Sequence, residues 1–178
     1  MLYALIIIAA IILVIVALAA SRPNDFRIER HIDIAAPAET IHPHINDFHN
    51  WAAWSPWEKL DPNLQRTYSG APSGKGAVYE WTGNKKVGTG RMEIKDTQAP
   101  RLVNIALDFL KPFKASNTTD FTLVPSGSGT KVTWAMIGSS PFPMKVFGLF
   151  MNMDEAVGKD FAKGLESLKA VCEQRPAA

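Results

Sequence analysis

Apolar residues in this chain follow three successive spacings: a continuous run, then every second position, then every third or fourth. The run, Leu2 to Ala20, has 19 residues, of which twelve are Leu, Ile or Val, six are Ala, one is Tyr3 and none is charged. As a helix rising about 1.5 Å per residue it reaches roughly 28 Å, close to the hydrocarbon thickness of about 30 Å. A core helix shows a polar stripe and this one has none, so the run predicts a membrane span. A cleaved secretory signal is the competing expectation, and Ala17-Leu18-Ala19 fits a small-x-small site. However, no Lys or Arg precedes the run, and it exceeds a signal core of about 7 to 15 residues, so an uncleaved anchor is expected. Arg22, Arg27 and Arg30 follow it, and the positive-inside rule then places the next domain on the cytoplasmic face. Only Ser21-Arg22-Pro23-Asn24 intervenes before the first strand signal, a reach of about 14 Å. The expected division is an anchor and linker over residues 1–22 and one domain over 23–178, held against the membrane surface.

The alternating text begins with "FRIERHIDI", where Phe26, Ile28, Ile32 and Ile34 share a face. Pro37 opens a short helix that Pro43 should stop near His42, and Asn46 or Asp47 caps a second, ended by Ser55-Pro56. Strands follow from 64 to 137, with Ala77, Tyr79 and Trp81 in phase, then Met92 and Ile94. Val103, Ile105, Leu107 and Phe109 form the next set, followed by Phe121 and Leu123, and by Val132, Trp134 and Met136. Turn residues Gly83-Asn84, Lys111-Pro112 and Ser126 to Gly129 separate them, which predicts an antiparallel sheet with one apolar face. The third spacing covers that face: Phe147, Phe150, Met151, Val157, Phe161, Leu165, Leu168 and Cys172 predict a long amphipathic helix. Gly148, Gly158 and Gly164 interrupt it and imply a bend or close packing.

This order, carried by "IAAPAETIHPHINDFHNWAAWSPW", "YSGAPSGKGAVYEWTGNKKVGTGRMEI", "LDFLKPF" and "MDEAVGKDFAKGLESLK", resembles the START-like (SRPBCC) superfamily over about residues 26 to 172. More narrowly it looks like the bacterial polyketide cyclase/dehydrase-like group, many members of which carry one N-terminal span. The resemblance implies an α+β helix-grip fold, a curved antiparallel sheet wrapped around a long C-terminal helix. It also implies a cavity between helix and sheet rather than a catalytic signature.

Composition narrows the function classes. A net charge of +2 argues against nucleic acid as a partner, and the single Cys172 excludes an internal disulfide. Trp51, Trp54 and Trp57 crowd "NWAAWSPW". A sugar or base platform needs exposed rings among polar partners. Ala52, Ala53 and Pro56 surround these instead, so packing or cavity lining is expected ahead of membrane anchoring. "HPHINDFH" offers His42, His44, Asp47 and His49, but on a helix His42 and His49 sit about 10 Å apart, too far for one ion. Solvated histidines and a capping Asp47 are expected there, and no metal. "GAPSGKG" lacks phosphate-loop spacing, so no cofactor is expected either. Arg91, Glu93, Asp108 and His31 are out of phase with the apolar faces and belong in water, leaving no catalytic candidate.

The sequence therefore predicts a membrane-anchored domain binding a hydrophobic small molecule or lipid. Its expected walls are Tyr79, Trp81, Phe109, Trp134, Met136, Phe147, Met151 and Phe161, with Trp51 and Trp54 at one end. A protein-interaction module of the chaperone-activator or toxin-like type, and a cyclase/dehydrase-like enzyme on an apolar substrate, are the alternatives. Two apolar loops, 109–114 and 139–145, flank the expected opening, where Phe113 and Phe142 either enter the lipid headgroups or tuck into the sheet end.

Overall fold

The computed structural model describes residues 1–173; the last positions of the expected domain, 174–178, lie outside the described residues. The apolar run is one helix, α1 (Leu2–Ala20), with only Ala19 buried, where α1 meets α3 (Phe142–Phe147). The linker is clamped rather than loose. Lys145 on α3 donates from Nζ to the Arg22 carbonyl at 2.9 Å and to Asn24 Oδ1 at 2.6 Å, and Ser140 N donates to the Asn24 carbonyl.

The alternating segments form β1 (Asp25–Ile34), β2 (Gln65–Gly70), β3 (Ala77–Thr82), β4 (Thr89–Gln98), β5 (Leu102–Lys111), β6 (Ala115–Ser126) and β7 (Gly129–Ser139). They pair antiparallel in the order β1-β7-β6-β5-β4-β3-β2. Each strand from β2 onward follows its neighbour by a short turn, and β1 joins the far edge by pairing with β7. Bulges between β4 and β5, at Thr89/Gly90 and Ile94/Asp96, add local bend and twist to the sheet. In the β2–β3 turn, Gly70 has φ +74° and a Cβ there would meet the Gly76 carbonyl, so "GAPSGKG" is turn chemistry.

Between β1 and β2 the helices differ from the expectation. The first, α2, runs Ala38–Asn46 straight through Pro43. Pro43 and Glu39, four residues before it, are both exposed, so the missing intrahelical bond is made up by solvent. Asp47 then caps a 3-10 helix, Phe48–Ala53, by accepting from His49 N at 2.9 Å. Pro56 does not merely end this segment; it starts a second 3-10 helix, Pro56–Lys59.

The covering helix also departs from the single long helix predicted. α3 stops at Gly148, and α4 (Met153–Glu173) begins afresh after a turn, with Asn152 Oδ1 accepting from Glu155 N at 3.2 Å. The stripe of α4 that faces the sheet is Gly158, Phe161, Gly164, Leu165 and Leu168. Its two glycines mark close approach: a Cβ on Gly164 would lie 2.8 Å from the Trp134 ring and 3.0 Å from Pro56. A Cβ on Gly158 would fall on the Arg30 guanidinium at 2.0 Å. Arg30, in phase with Ile28 and Ile32, donates to both Asp154 carboxylate oxygens, to the Asp154 carbonyl and to the Glu29 carbonyl. The result is the α+β helix-grip fold, with the sheet curved around α4.

This contact sets the sign of a substitution. Ala exceeds Gly by about 1 kcal/mol in a helix interior, yet Gly158→Ala is expected to lower the melting temperature by displacing Arg30. In an Arg30→Ala background the same change is expected to raise it. A double-mutant cycle read by thermal denaturation checks this.

Candidate functional site

Strand register places the inward side chains in rows. One row crosses Arg30, Trp134, Phe121 and Val103, and α4 and the first 3-10 helix cover it. Trp134 stacks on Phe161 at 4.3 Å with planes 5° apart. Trp54 meets Trp134 edge-on at 5.5 Å, Trp51 meets Phe121 edge-on at 5.9 Å, and the two tryptophans lie 4.7 Å from each other. Their polar atoms are satisfied by the last turn of α2: Trp51 Nε1 donates to the Ile45 carbonyl and Trp54 Nε1 to the His44 carbonyl, each at 3.0 Å. These rings are core, not an exposed platform. Trp134 Nε1 and, one row away, Thr119 Oγ1 are buried without a hydrogen-bond partner.

The next rows lead to the end of the sheet where α1 joins. One runs Phe26, Gly138, Asn117, Leu107, Met92, Tyr79 and Tyr68, the other Ala115, Phe109, Gly90, Trp81 and Arg66. Phe26, Asn117, Leu107 and Phe109 are only half-buried, so the inner face opens at this end. Trp81 lies across Gly90, where a Cβ would meet its ring at 2.3 Å, and Trp81 Nε1 donates to the Val87 carbonyl. A groove of about 650 Å3 opens at the same end, between the start of β1, the end of β7, α3 and the turn into α4.

A buried polar group that the sequence did not announce ties the second 3-10 helix to the sheet. Glu58 accepts from the Tyr79 hydroxyl through Oε1 at 2.6 Å and from Arg66 Nε through Oε2 at 2.6 Å. Burial, and then the bond to Glu58, push the Tyr79 phenol well above its ordinary value. Tyr79 is thus a neutral donor whose partner carboxylate has both oxygens engaged. Periodicity cannot show this, because Glu58 lies on a short 3-10 helix and Arg66 and Tyr79 on strands β2 and β3, and the three meet only through the fold.

Of the ten expected wall residues, Trp51, Trp54, Tyr79, Trp81, Phe109, Trp134, Met136 and Phe161 converge on this interior. Phe147 and Met151 do not: they are exposed, on α3 and on the turn after it, because the chain leaves the helical phase at Gly148. The histidines are not uniformly solvated. His42 is buried, with Nε2 3.2 Å from Thr97 Oγ1, whereas His49 pairs with Asp47 at 2.8 Å and stacks on Tyr68. Among the described residues no three His, Cys, Asp or Glu side chains converge as a metal site. Burial pushes the Cys172 thiol up to about 11, away from the range of a reactive thiolate.

A one-sided aromatic interior under a helix, open toward one end of the sheet, defines a helix-grip domain. The family described as polyketide cyclase/dehydrase and lipid transport matches residues 25–173, and the chain belongs to it. Protein MLL2253 from Mesorhizobium loti superposes with a TM-score of 0.62 at 14% identity, over 85% of this chain and 100% of that one. The Aha1 dimer protein from Colwellia psychrerythraea gives 0.59 at 15% identity, over 84% and 97%. The di-domain ARO/CYC protein BexL of the BE-7585A biosynthetic pathway gives 0.61 at 15% identity, over 90% of this chain and 54% of that one. At these identities the likeness is one of fold. A search of curated protein sequences returns no match.

Two expectations follow from the interior. Trp134 is 2% exposed and surrounded by rings, so Trp134→Ala is expected to cost about 3 to 5 kcal/mol in a denaturant titration. Desolvation holds the His42 pKa below 6.5, so unfolded chain takes up a proton as pH falls through 6.5 while folded chain does not. Stability present above pH 6.5 is therefore expected to decline below it, and His42→Gln should flatten that part of the profile measured by thermal denaturation.

Proposed function

We propose that this chain is a membrane-anchored helix-grip domain that accepts a hydrophobic small molecule or the apolar part of a lipid through the open end of its sheet. One observation carries the reading. Among the described residues beyond α1, nine large apolar side chains are exposed, and all but Leu60 and Val124 belong to the end where α1 joins. Leu110 is at the end of β5 and Phe113 in the β5–β6 turn, Phe142, Met144 and Phe147 are on α3, and Phe150 and Met151 on the turn into α4. Phe113 and Phe150 are 79% and 76% exposed, which supports contact with an apolar medium rather than with water. α1 is long and apolar enough to cross a bilayer, and Lys145 ties its exit to the same surface. The family's lipid-transport description agrees with a ligand recognised mainly by burial. Arg22 and Arg27 beside the helix exit favour the cytoplasmic side.

Full-length protein is expected to resist carbonate extraction, and protease outside intact cells to leave residues 26–178 uncut. Purified in detergent, it is expected to yield bound lipid on extraction and mass spectrometry and to bind a fluorescent fatty acid. Replacing Leu110 and Phe113 by Ser should slow uptake of that probe from vesicles by about a hundredfold or more, from the loss of about 1.5 to 3 kcal/mol per apolar side chain, with little change in melting temperature. No extractable lipid together with no probe binding would overturn the reading.

A further inference from the structure

The 650 Å3 groove borders the apolar interior, sharing Phe26 and Ile28 with it, and is lined by charged as well as apolar groups. Three cations line it: Arg22, Arg27 and Lys145. Arg27 is neutralised by Glu29 at 2.7 Å. Arg22 forms no ion pair among the described residues. Lys145 is buried, and its ammonium is held by two neutral oxygens, the Arg22 carbonyl and Asn24 Oδ1, with no carboxylate to balance it. Two acids also line the groove. Asp154 is claimed by Arg30, and Asp25 is exposed. The groove thus keeps two uncompensated positive charges against one free carboxylate.

Apart from Ser139, Ser140 and Asn152, the rest of the lining is largely apolar, including Phe26, Leu149, Phe150 and Met153. Position supplies the other half of the argument. The groove begins at Arg22, two residues beyond the last residue of α1, which is the depth of the headgroup layer if α1 spans a bilayer. A cavity with a cationic floor and apolar flank at that depth complements an amphiphile with an anionic head and a hydrocarbon tail. A soluble anion would leave the apolar flank unmatched, and a neutral lipid would leave Arg22 and Lys145 unmatched.

We propose that this groove is a binding site for one anionic phospholipid of the surrounding bilayer, its phosphate at Arg22 and Lys145 and its glycerol and upper chains along Phe26 and Leu149. The site rests on the reading that α1 anchors the chain in a membrane. Its cationic end, Arg22 and Lys145, lies outside the sheet interior, although Phe26 and Ile28 border both.

The test uses the full chain in nanodiscs carrying trace spin-labelled phosphatidylglycerol or phosphatidylcholine, with the protein-immobilised fraction read by electron paramagnetic resonance. Phosphatidylglycerol is expected to exceed phosphatidylcholine by about fivefold, the factor for one unpaired cation near the lipid surface. Arg22→Gln should bring the two lipids close to parity, because Lys145 is then balanced by Asp25, while the melting temperature holds, since Lys145 uses only the Arg22 backbone. Lys111→Gln with Lys114→Gln, at the same end but outside the groove, should leave the preference intact. Equal immobilisation of both lipids by the parent, or an equal loss in the Lys111/Lys114 variant, overturns the proposal. So does displacement of the label by millimolar inorganic phosphate, which would make a soluble anion the occupant. Fluorescent fatty acid binding, measured on the same samples, separates the two readings: its persistence without lipid preference removes only this site, and loss of both removes the binding function as well.

Discussion

The parallel stack of Trp134 on Phe161 sets the distance between sheet and helix, and the other packing follows from it. Rings at 4.3 Å leave no room for a side chain at the next turn of α4, hence Gly164 above Trp134. The same approach one turn earlier presses α4 onto Arg30, hence Gly158. With the helix this close, Trp51 and Trp54 can touch both the sheet and each other, and their indole N–H groups donate to the free carbonyls of the last turn of α2. Buried polar groups require such partners. The aromatic block therefore dictates the path of the chain from α2 to the second 3-10 helix as well as the seat of α4.

Filling one half of the sheet so densely leaves the other half short of cover. α4 begins only at Met153, after the turn imposed by Gly148 and Asn152, so the rows containing Gly138, Leu107 and Phe109 are partly open. A continuous helix from Phe147 would extend that cover toward this end. The break exposes the inner face and, with the same residues, creates a cluster of exposed apolar side chains on α3 and the adjoining turn. Lys145 then links this cluster to the exit of α1 through two short hydrogen bonds. Packing in the deep half, opening in the shallow half and attachment to α1 are thus consequences of one helix interruption.

The buried charges divide in a related way. Glu58 is enclosed by Tyr79 and Arg66, and its role is to hold the second 3-10 helix on the sheet edge. Removing one partner of such a group leaves a buried charge uncompensated, which is why the arrangement constrains the fold. Lys145 is the contrasting case, a buried ammonium solvated by neutral oxygens whose charge stays available at the groove. The family's description, polyketide cyclase/dehydrase and lipid transport, joins chemistry and carriage in one fold. In this chain the features outside the common interior are those near α1.

Alternation alone determined much of the architecture. Because side chains on a strand repeat every two residues, the in-phase sets Tyr79/Trp81, Val103/Ile105 and Trp134/Met136 declared the inner face before any pairing was known. An uncharged run of 19 residues likewise declared α1. The stripe through Phe161, Leu165 and Leu168 announced the helix that covers the sheet. Ambiguity began where a local signal depends on its surroundings. Pro43 reads as a helix stop but is tolerated inside α2 because it is exposed. Gly148 and Asn152 interrupt a spacing that looks continuous, since Phe147 and Met151 fit a period of four whether or not a helix joins them. Arg30 sits in an apolar phase, and only the approach of Asp154, more than a hundred residues away, explains it. The Glu58 cluster, the half-open end of the sheet and the cationic groove belong to the same category. Each is made by groups distant in sequence, and periodicity records only which way a side chain points, not what the rest of the chain brings to meet it.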